Sequence, residues 1–152
     1  MPESPFIHLA VRSSYSLLES MISPKDLKSW CLTHGMPAIA VTDRNNLFGA
    51  LETSLTLSEA GIQPIMACCF DVVDTGHRAE PSRLTIYAQN ETGYRRLMYL
   101  SSRAYLDAAD GVPKLAKSLI LEQTDGLILL TGGAEGEAAK LLLKGRHADA
   151  RT

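Results

Sequence analysis

The sequence predicts an α/β fold in which short apolar strands alternate with amphipathic helices. Two observations support this: the strand-type runs contain few polar residues, and each is followed by a turn and a segment with helical spacing. Such an order is typical of a mostly parallel sheet with right-handed crossovers. A closed barrel of this type typically needs about 250 residues, whereas this chain has 152. We therefore expect part of a larger barrel.

The strands are predicted from apolar runs bounded by turn residues. In the first run, Phe6, His8 and Ala10 share one face, and both faces are largely apolar, as in a strand buried on both sides. Cys68 and Cys69 are neighbours on the third run and point to opposite faces, which favours two small buried side chains over a redox pair. The expected strands are 6–11, 38–41, 65–73, 83–88 and 127–130.

Capping residues mark the predicted helices. Ser23 is suited to the N-cap, Pro24 to the first helical position and Gly35 to the residue after the helix. Asn90 can cap the third helix. The expected helices are 24–34, 47–60, 91–105, 114–123 and 135–143. Helical spacing predicts buried faces formed by Leu27, Trp30 and Cys31, by Phe48, Leu51, Leu55 and Ser58, and by Tyr94, Leu97, Met98, Ser101 and Tyr105.

Composition limits the class of protein. Hydrophobic residues make up 45% of the chain, so it should fold, and the net charge of −2 without a long basic run argues against a self-sufficient nucleic-acid clamp. No apolar run is long enough to span a bilayer, and the start is not typical of a signal peptide, so no membrane partner is expected. Three cysteines form no metal or disulfide framework, which predicts a reducing cytoplasm.

A polar turn, residues 42–46, joins the second strand to the second helix. Turns at this place often carry the chemistry of α/β folds. The simpler alternative, favoured on residue types alone, is a capped loop in which Asn45 or Asn46 is the N-cap and Asp43 holds backbone amides.

Several stretches follow the motifs of one family in order: FIHLAVRSSYSLLES, AIAVTDRNNLFGALE, GIQPIMACCFDV and DGLILLTGGAEGEAAKLLL. Together they resemble PHP (polymerase and histidinol phosphatase) domains. The phrase NETGYRRLMYLSSRAY is similar to the branch found at the N terminus of bacterial DNA polymerase III alpha subunits. The resemblance covers nearly all of residues 6–145. It implies a distorted seven-stranded βα (TIM-like) barrel, of which residues 1–152 are the N-terminal part of a single domain.

The family also implies a metal site. In metal-bearing members, His, Asp, Glu and Cys residues at strand ends hold divalent ions that activate water against a phosphoester. The resemblance places the vestigial positions of that site on Ala10, Arg12, Glu19, Arg44, Cys69 and Gly133, with His8 and Asp43 as neighbours. Only Glu19 keeps an oxygen ligand, although Cys69 has a thiol that can ligate in principle.

The substitutions at these positions predict a lost metal site. Arg12 and Arg44 are permanent cations without a lone pair, and they would repel divalent ions over a few ångströms. We therefore expect no intact metal site, no catalytic residue and no cofactor site in this stretch. We also expect at least one arginine to pair with Glu19 or Asp43, because a guanidinium group can hold a carboxylate through two hydrogen bonds.

The remaining candidates have simpler explanations. A lone histidine on a strand, such as His8, is more often a core residue than a ligand. The Gly132-Gly133 turn precedes a helix and could bind an anion, but acidic residues in that helix argue against it. Core positions are expected for Trp30, Met66 and Met98. A solvated surface, rather than a patch for DNA or a partner, is expected at Arg95, Arg96, Arg103, Lys114 and Lys117.

Three functions follow from the resemblance. The first is a structural and interaction module of a replicative DNA polymerase, whose partners would be other holoenzyme subunits, including the proofreading exonuclease, and whose parent chain would use magnesium to copy DNA. The second is an active metal-dependent phosphoesterase or 3′–5′ exonuclease, against which the lost ligands count. The third is a free-standing phosphatase of the same superfamily, against which the polymerase-type middle stretch counts.

Overall fold

The structure is a computed structural model that describes residues 6–74 and 80–151. It divides into two compact units, residues 1–68 and 69–152, which are described in turn. Most of the predicted loop at 75–82 lies outside the described residues. The helices are α1 Pro24–Thr33, α2 Ala50–Ser58, α3 Glu91–Leu106, α4 Lys117–Leu121 and α5 Glu137–Leu143. The strands are β1 Ala38–Val41, β2 Gln63–Val73, β3 Ser82–Ala88, β4 Leu115–Ala116 and β5 Leu127–Leu130.

Helix α1 confirms the prediction made from its capping residues. The Ser23 hydroxyl accepts from the Asp26 amide at 3.2 Å, and the Asp26 carboxylate accepts from the Ser23 amide at 3.0 Å, which completes a capping box. Leu27 and Cys31 are buried, as expected, but Trp30 is 39% exposed. The Trp30 ring lies on the flank of the helix, where the rings of His8 and His34 cover it at 5.0 and 4.5 Å.

The first predicted strand is wrong for most of its length. Only Val11 forms a bridge, a parallel one to Val41, while residues 6–10 have no strand assignment. The segment follows the edge of β1, because the Ala40 amide donates to the His8 carbonyl at 2.9 Å. Phe6 is 72% exposed, so this stretch is not buried on both faces. A segment with an exposed face does not need apolar residues on both sides.

Helix α2 begins at Ala50, three residues later than predicted, and neither Asn45 nor Asn46 is its N-cap. Gly49 takes that position without a side-chain hydrogen bond. Asn45 instead adopts a left-handed conformation with φ of 57°, and Asn46 accepts from the Phe48 amide at 3.1 Å. The two asparagines therefore shape the turn before the helix, as Asx residues commonly do.

The buried face of α2 also differs from the prediction. Thr53 and Leu57 are buried, whereas Phe48, Leu51 and Leu55 are 65%, 72% and 56% exposed. Leucines lie on both faces of this helix, so periodicity alone did not select between them. The side that packs against α1 is the one that contributes Leu57 to the core. That core cluster comprises Leu27, Cys31, Met36, Ile39, Leu57 and Ile62.

The described strand pairings are mostly parallel, as predicted, with one antiparallel pair that was not predicted. In the first unit β1 pairs with β2 in parallel, from Ala38 opposite Gln63 to Val41 opposite Met66. In the second unit the end of β2 pairs with β4 in parallel, but β3 and β5 are antiparallel. An apolar run has the same composition in either direction, so the sequence pattern did not predict the orientation of β5. The closed seven-stranded barrel stays a prediction.

Helix α3 has the N-cap that the sequence predicts, since the Asn90 side chain accepts from the Gly93 amide at 3.0 Å. Leu97 is buried as expected, whereas Met98 is 42% exposed. The expectation of a solvated surface is wrong for Arg96, which is buried and donates to the Gln123 carbonyl at 3.2 Å and to the Leu119 carbonyl. Such carbonyls at a helix end lack intrahelical partners, and a cation satisfies them. Ser101 is buried as predicted, but Tyr105 is 42% exposed.

Two predicted helices of the second unit are shorter in the structure. Residues 114–123 form β4 followed by α4, because Leu115 joins the sheet opposite Val72. Helix α5 begins at Glu137 after a 3₁₀ turn, Gly133–Glu135. Among the described residues, no helix combines the length and apolar character needed to cross a membrane.

Candidate functional site

Glu19 is held between two arginines in the first unit. Arg44 Nη1 donates to Glu19 Oε1 at 2.6 Å, and Arg12 Nη1 donates to Glu19 Oε2. The side chains of Arg12, Glu19 and Arg44 are 28%, 18% and 39% exposed, so the group is partly buried. The expectation that at least one arginine pairs with Glu19 or Asp43 is therefore confirmed, and it holds for both arginines.

Backbone contacts of the loop after residue 11 place Glu19 opposite the arginines. The Arg12 carbonyl accepts from the Ser20 hydroxyl at 2.8 Å, and the Glu19 amide donates to the Ser16 carbonyl at 3.0 Å. Leu18 adopts a φ of 64°, which is unusual for a side chain of this size, and its side chain is fully exposed. The loop turns tightly at Leu18 and brings Glu19 back toward Arg12.

Asp43 is the buried anchor of this loop. It is 4% exposed, and its carboxylate accepts from the Ser13 amide at 2.8 Å and from the Ser13 and Ser16 hydroxyls at 2.6 Å each. The expectation that Asp43 holds backbone amides is confirmed for one amide. The two serines were missed by the sequence reasoning, which treated residues 12–16 only as a polar loop. Their spacing of three residues was the available indication, because it lets both hydroxyls reach one carboxylate.

Asn46 connects the same loop to the turn after β1. Its side-chain amide donates to the carbonyls of Tyr15 at 3.1 Å and Arg44 at 2.8 Å. The Tyr15 hydroxyl in turn donates to the Glu52 carboxylate at 2.7 Å, and this hydrogen bond, together with the charge of Glu52, raises the pKa of Tyr15. The Tyr15 ring covers Gly49 so closely that a Cβ there would lie 2.4 Å from it. The turn and the loop therefore form one connected polar network.

The remaining predicted positions of the first unit do not join this network. Ala10 is exposed and has no ligating side chain. His8 is half-buried, and its ring contacts Phe6 at 4.7 Å and Trp30 at 5.0 Å. The simpler explanation for His8, a packed side chain, is the one that these contacts support.

Cys69 and Gly133 belong to the second unit. Cys69 is buried in β2. Burial is the main cause that raises the pKa of Tyr87, and an electrostatic effect of Cys69 raises it further. Cys68, the last residue of the first unit, is also buried, and its thiol donates to the carbonyls of Asp43 at 3.3 Å and Asn46 at 3.4 Å. Both cysteines are buried as predicted, but Cys68 is a hydrogen-bond donor as well as a small apolar side chain.

The residues present do not fit a divalent metal ion. Both carboxylate oxygens of Glu19 accept from guanidinium groups, and guanidinium nitrogens offer no lone pair to a metal. Over residues 6–74 and 80–151, no group of three or more His, Cys, Asp or Glu side chains is arranged to hold a metal. The arrangement can stabilise a loop through charge.

Comparisons with known proteins connect this geometry to a family. DNA polymerase III subunit alpha of Caulobacter vibrioides is 43% identical over 151 residues, covering 95% of this chain and 13% of that protein. The same subunit of Escherichia coli K12 is 36% identical over 149 residues, covering 97% of this chain and 13% of that protein. The chain thus spans about an eighth of the length of these relatives.

A solved structure shares the fold at low sequence similarity. An amidohydrolase from Chromobacterium violaceum, with bound sulfate and no metal, superposes with a TM-score of 0.52 at 15% identity, covering 66% of this chain and 33% of that one. The model of the PHP domain family matches residues 8–152. The chain belongs to the PHP domain family.

Proposed function

We propose that this chain is the N-terminal PHP domain of a replicative DNA polymerase, a DNA polymerase III alpha subunit that takes part in DNA replication. Within that protein it is a structural and interaction module rather than a hydrolase. The pairing of Glu19 with Arg12 and Arg44 is the observation that supports a structural role over hydrolysis. A carboxylate that two protein cations already neutralise has little to offer a divalent ion.

The proposal about the parent protein rests on the relatives named DNA polymerase III subunit alpha. In such a protein, polymerisation would use magnesium and carboxylates that lie outside this stretch, which itself needs no cofactor. The partners would be other subunits of the polymerase III holoenzyme, including the proofreading exonuclease subunit, and DNA through the rest of the chain. The place of action would be the cytoplasm, where the free cysteines stay reduced.

The alternative function is a metal-dependent phosphoesterase or 3′–5′ exonuclease of the PHP superfamily. This function requires bound divalent ions, and Glu19 is already paired with Arg12 and Arg44 at the position where such an ion would bind. The two functions differ in one measurable quantity, the metal content of the purified chain. Elemental analysis after dialysis against zinc or manganese should give far less than one ion per chain. One or more ions bound per chain would favour the phosphoesterase instead.

A designed variant makes this test sharper. Four substitutions, Ala10→His, Arg12→His, Arg44→His and Cys69→Glu, return metal-binding side chains to the positions that the family resemblance identifies. We expect this variant to bind more zinc or manganese than the natural chain, because neutral imidazole and carboxylate groups offer lone pairs.

A matched control keeps the number of arginine-to-histidine changes but moves them to the surface of α3. Arg95→His combined with Arg103→His alters two arginines that form exposed ion pairs within that helix. This control should bind no more metal than the natural chain. If the control gained as much metal as the designed variant, the binding would come from surface histidines, and the assignment of the vestigial positions would fail.

A further inference from the structure

A small cavity in the first unit is lined in part by residues of the turn that follows β1. Its lining residues include the polar residues Asp43, Asn46 and Thr53 and the apolar residues Val41 and Met66. The cavity measures about 20 Å³ as the space open to the centre of a water molecule. On the same measure, a single water molecule needs at least about 10–15 Å³. The cavity therefore has room for one water molecule.

The hydroxyl of Thr53 is the unusual feature of this cavity. Thr53 is 1% exposed, and its Oγ1 has no hydrogen-bond partner among the described residues. A buried hydroxyl without a partner is unfavourable, and in folded proteins such groups are nearly always satisfied by protein or by ordered water. Thr53 is also one of the residues that line the cavity.

Asp43 offers the complementary group. Its carboxylate accepts three hydrogen bonds, two from Ser13 and one from Ser16. An ionised carboxylate has about four acceptor positions, so one remains for a further donor. A water molecule can accept from the Thr53 hydroxyl and donate to this carboxylate at the same time.

We propose that the cavity is the binding site of one structural water molecule that links Thr53 on α2 to Asp43 in the turn after β1. This water extends the network that holds the loop carrying Glu19, because Asp43 also anchors Ser13 and Ser16. No described protein group takes the place of this water, since Thr53 Oγ1 forms no hydrogen bond with any described residue.

The test is nuclear magnetic resonance of the 152-residue chain, read as magnetisation transfer from a long-lived water molecule to Thr53. The natural chain should show this transfer. Thr53→Ser keeps the hydroxyl and should also show it, whereas Thr53→Val removes the hydroxyl at nearly constant volume and should lose it. No substitution is needed for the first measurement, so the proposal is tested even if a variant folds poorly.

Thermal unfolding of Thr53→Val is an independent test. The change in Tm should have opposite signs depending on whether or not a water molecule binds the Thr53 hydroxyl. If water bridges Thr53 and Asp43, Thr53→Val leaves that water with a missing partner and should lower the Tm by about 2–4 °C. If the hydroxyl has no partner at all, the same substitution removes an unfavourable group and should raise the Tm. Absence of water transfer in the natural chain, or a Tm of Thr53→Val at or above that of the natural chain, overturns the proposal.

Discussion

Replacing Arg12 by methionine and Glu19 by glutamine, singly and together, measures how strongly this ion pair stabilises the fold. In such a double-mutant cycle, every contact that only one of the two side chains makes cancels. The cycle therefore isolates the pair even though Glu19 also binds Arg44. The assay is urea unfolding of the four proteins at pH 7 and low salt, with the free energy of unfolding taken from linear extrapolation.

The expected magnitude follows from the exposure of the two side chains. Exposed ion pairs contribute about 0.2–1 kcal/mol, and removing one partner of a fully buried pair costs about 3–5 kcal/mol. Arg12 and Glu19 are 28% and 18% exposed, which lies between these limits. We expect a coupling energy of about 1–2 kcal/mol. Arg12→Met alone should cost about as much as this coupling, about 1–2 kcal/mol, and less than the loss of a fully buried pair, because Glu19 keeps its bond to Arg44.

The chain contains a matched control for this cycle. Glu91 and Arg95 form an ion pair at 2.6 Å within α3, and their side chains are 77% and 73% exposed. The same cycle on this pair should give about 0.3–0.5 kcal/mol at low salt and almost nothing in 1 M salt, where the Debye length falls to about 3 Å. A coupling between Arg12 and Glu19 no larger than that of the control would refute the view that the partly buried pair holds the loop.

Three further predictions concern residues that stabilise local structure within one unit. Asp43→Asn should lower the free energy of unfolding by about 2–4 kcal/mol in urea unfolding, because an amide cannot accept from all the donors that the carboxylate satisfies. Hydrogen bonds from Ser23 hold the pKa of Asp26 below its ordinary value of 3.8. The stabilisation by Asp26 should therefore be present above pH 3.8 and fade as the pH falls through the lower folded value, so Asp26→Asn should destabilise the chain at pH 6 but not at the acid end of a pH series of thermal melts. Gly93→Ala should lower the free energy of unfolding by about 1–3 kcal/mol, measured in urea, because its Cβ would lie 1.9 Å from the Gly126 carbonyl oxygen.

Local chemistry was enough to predict several elements of this protein. Ser23, Pro24 and Asn90 determine where two helices begin, because their caps involve only neighbouring residues. The four apolar residues of β1 and of β5 predicted those strands with the bounds that the structure has. At the site, the charges and donor types of Arg12 and Arg44 were enough to predict an ion pair, since a partly buried carboxylate needs a cation close by.

Tertiary contacts decided the rest. The exposed face of α2 and the antiparallel pairing of β5 depend on which surfaces meet, and periodicity treats both choices alike. The roles of Ser13 and Ser16 depend on a carboxylate about 30 positions away in the sequence, which only the folded chain brings within 2.6 Å. Glu19 likewise meets both arginines only after the loop closes. Residue types determined which partners each group requires, and the packing of distant segments determined which partner each group received.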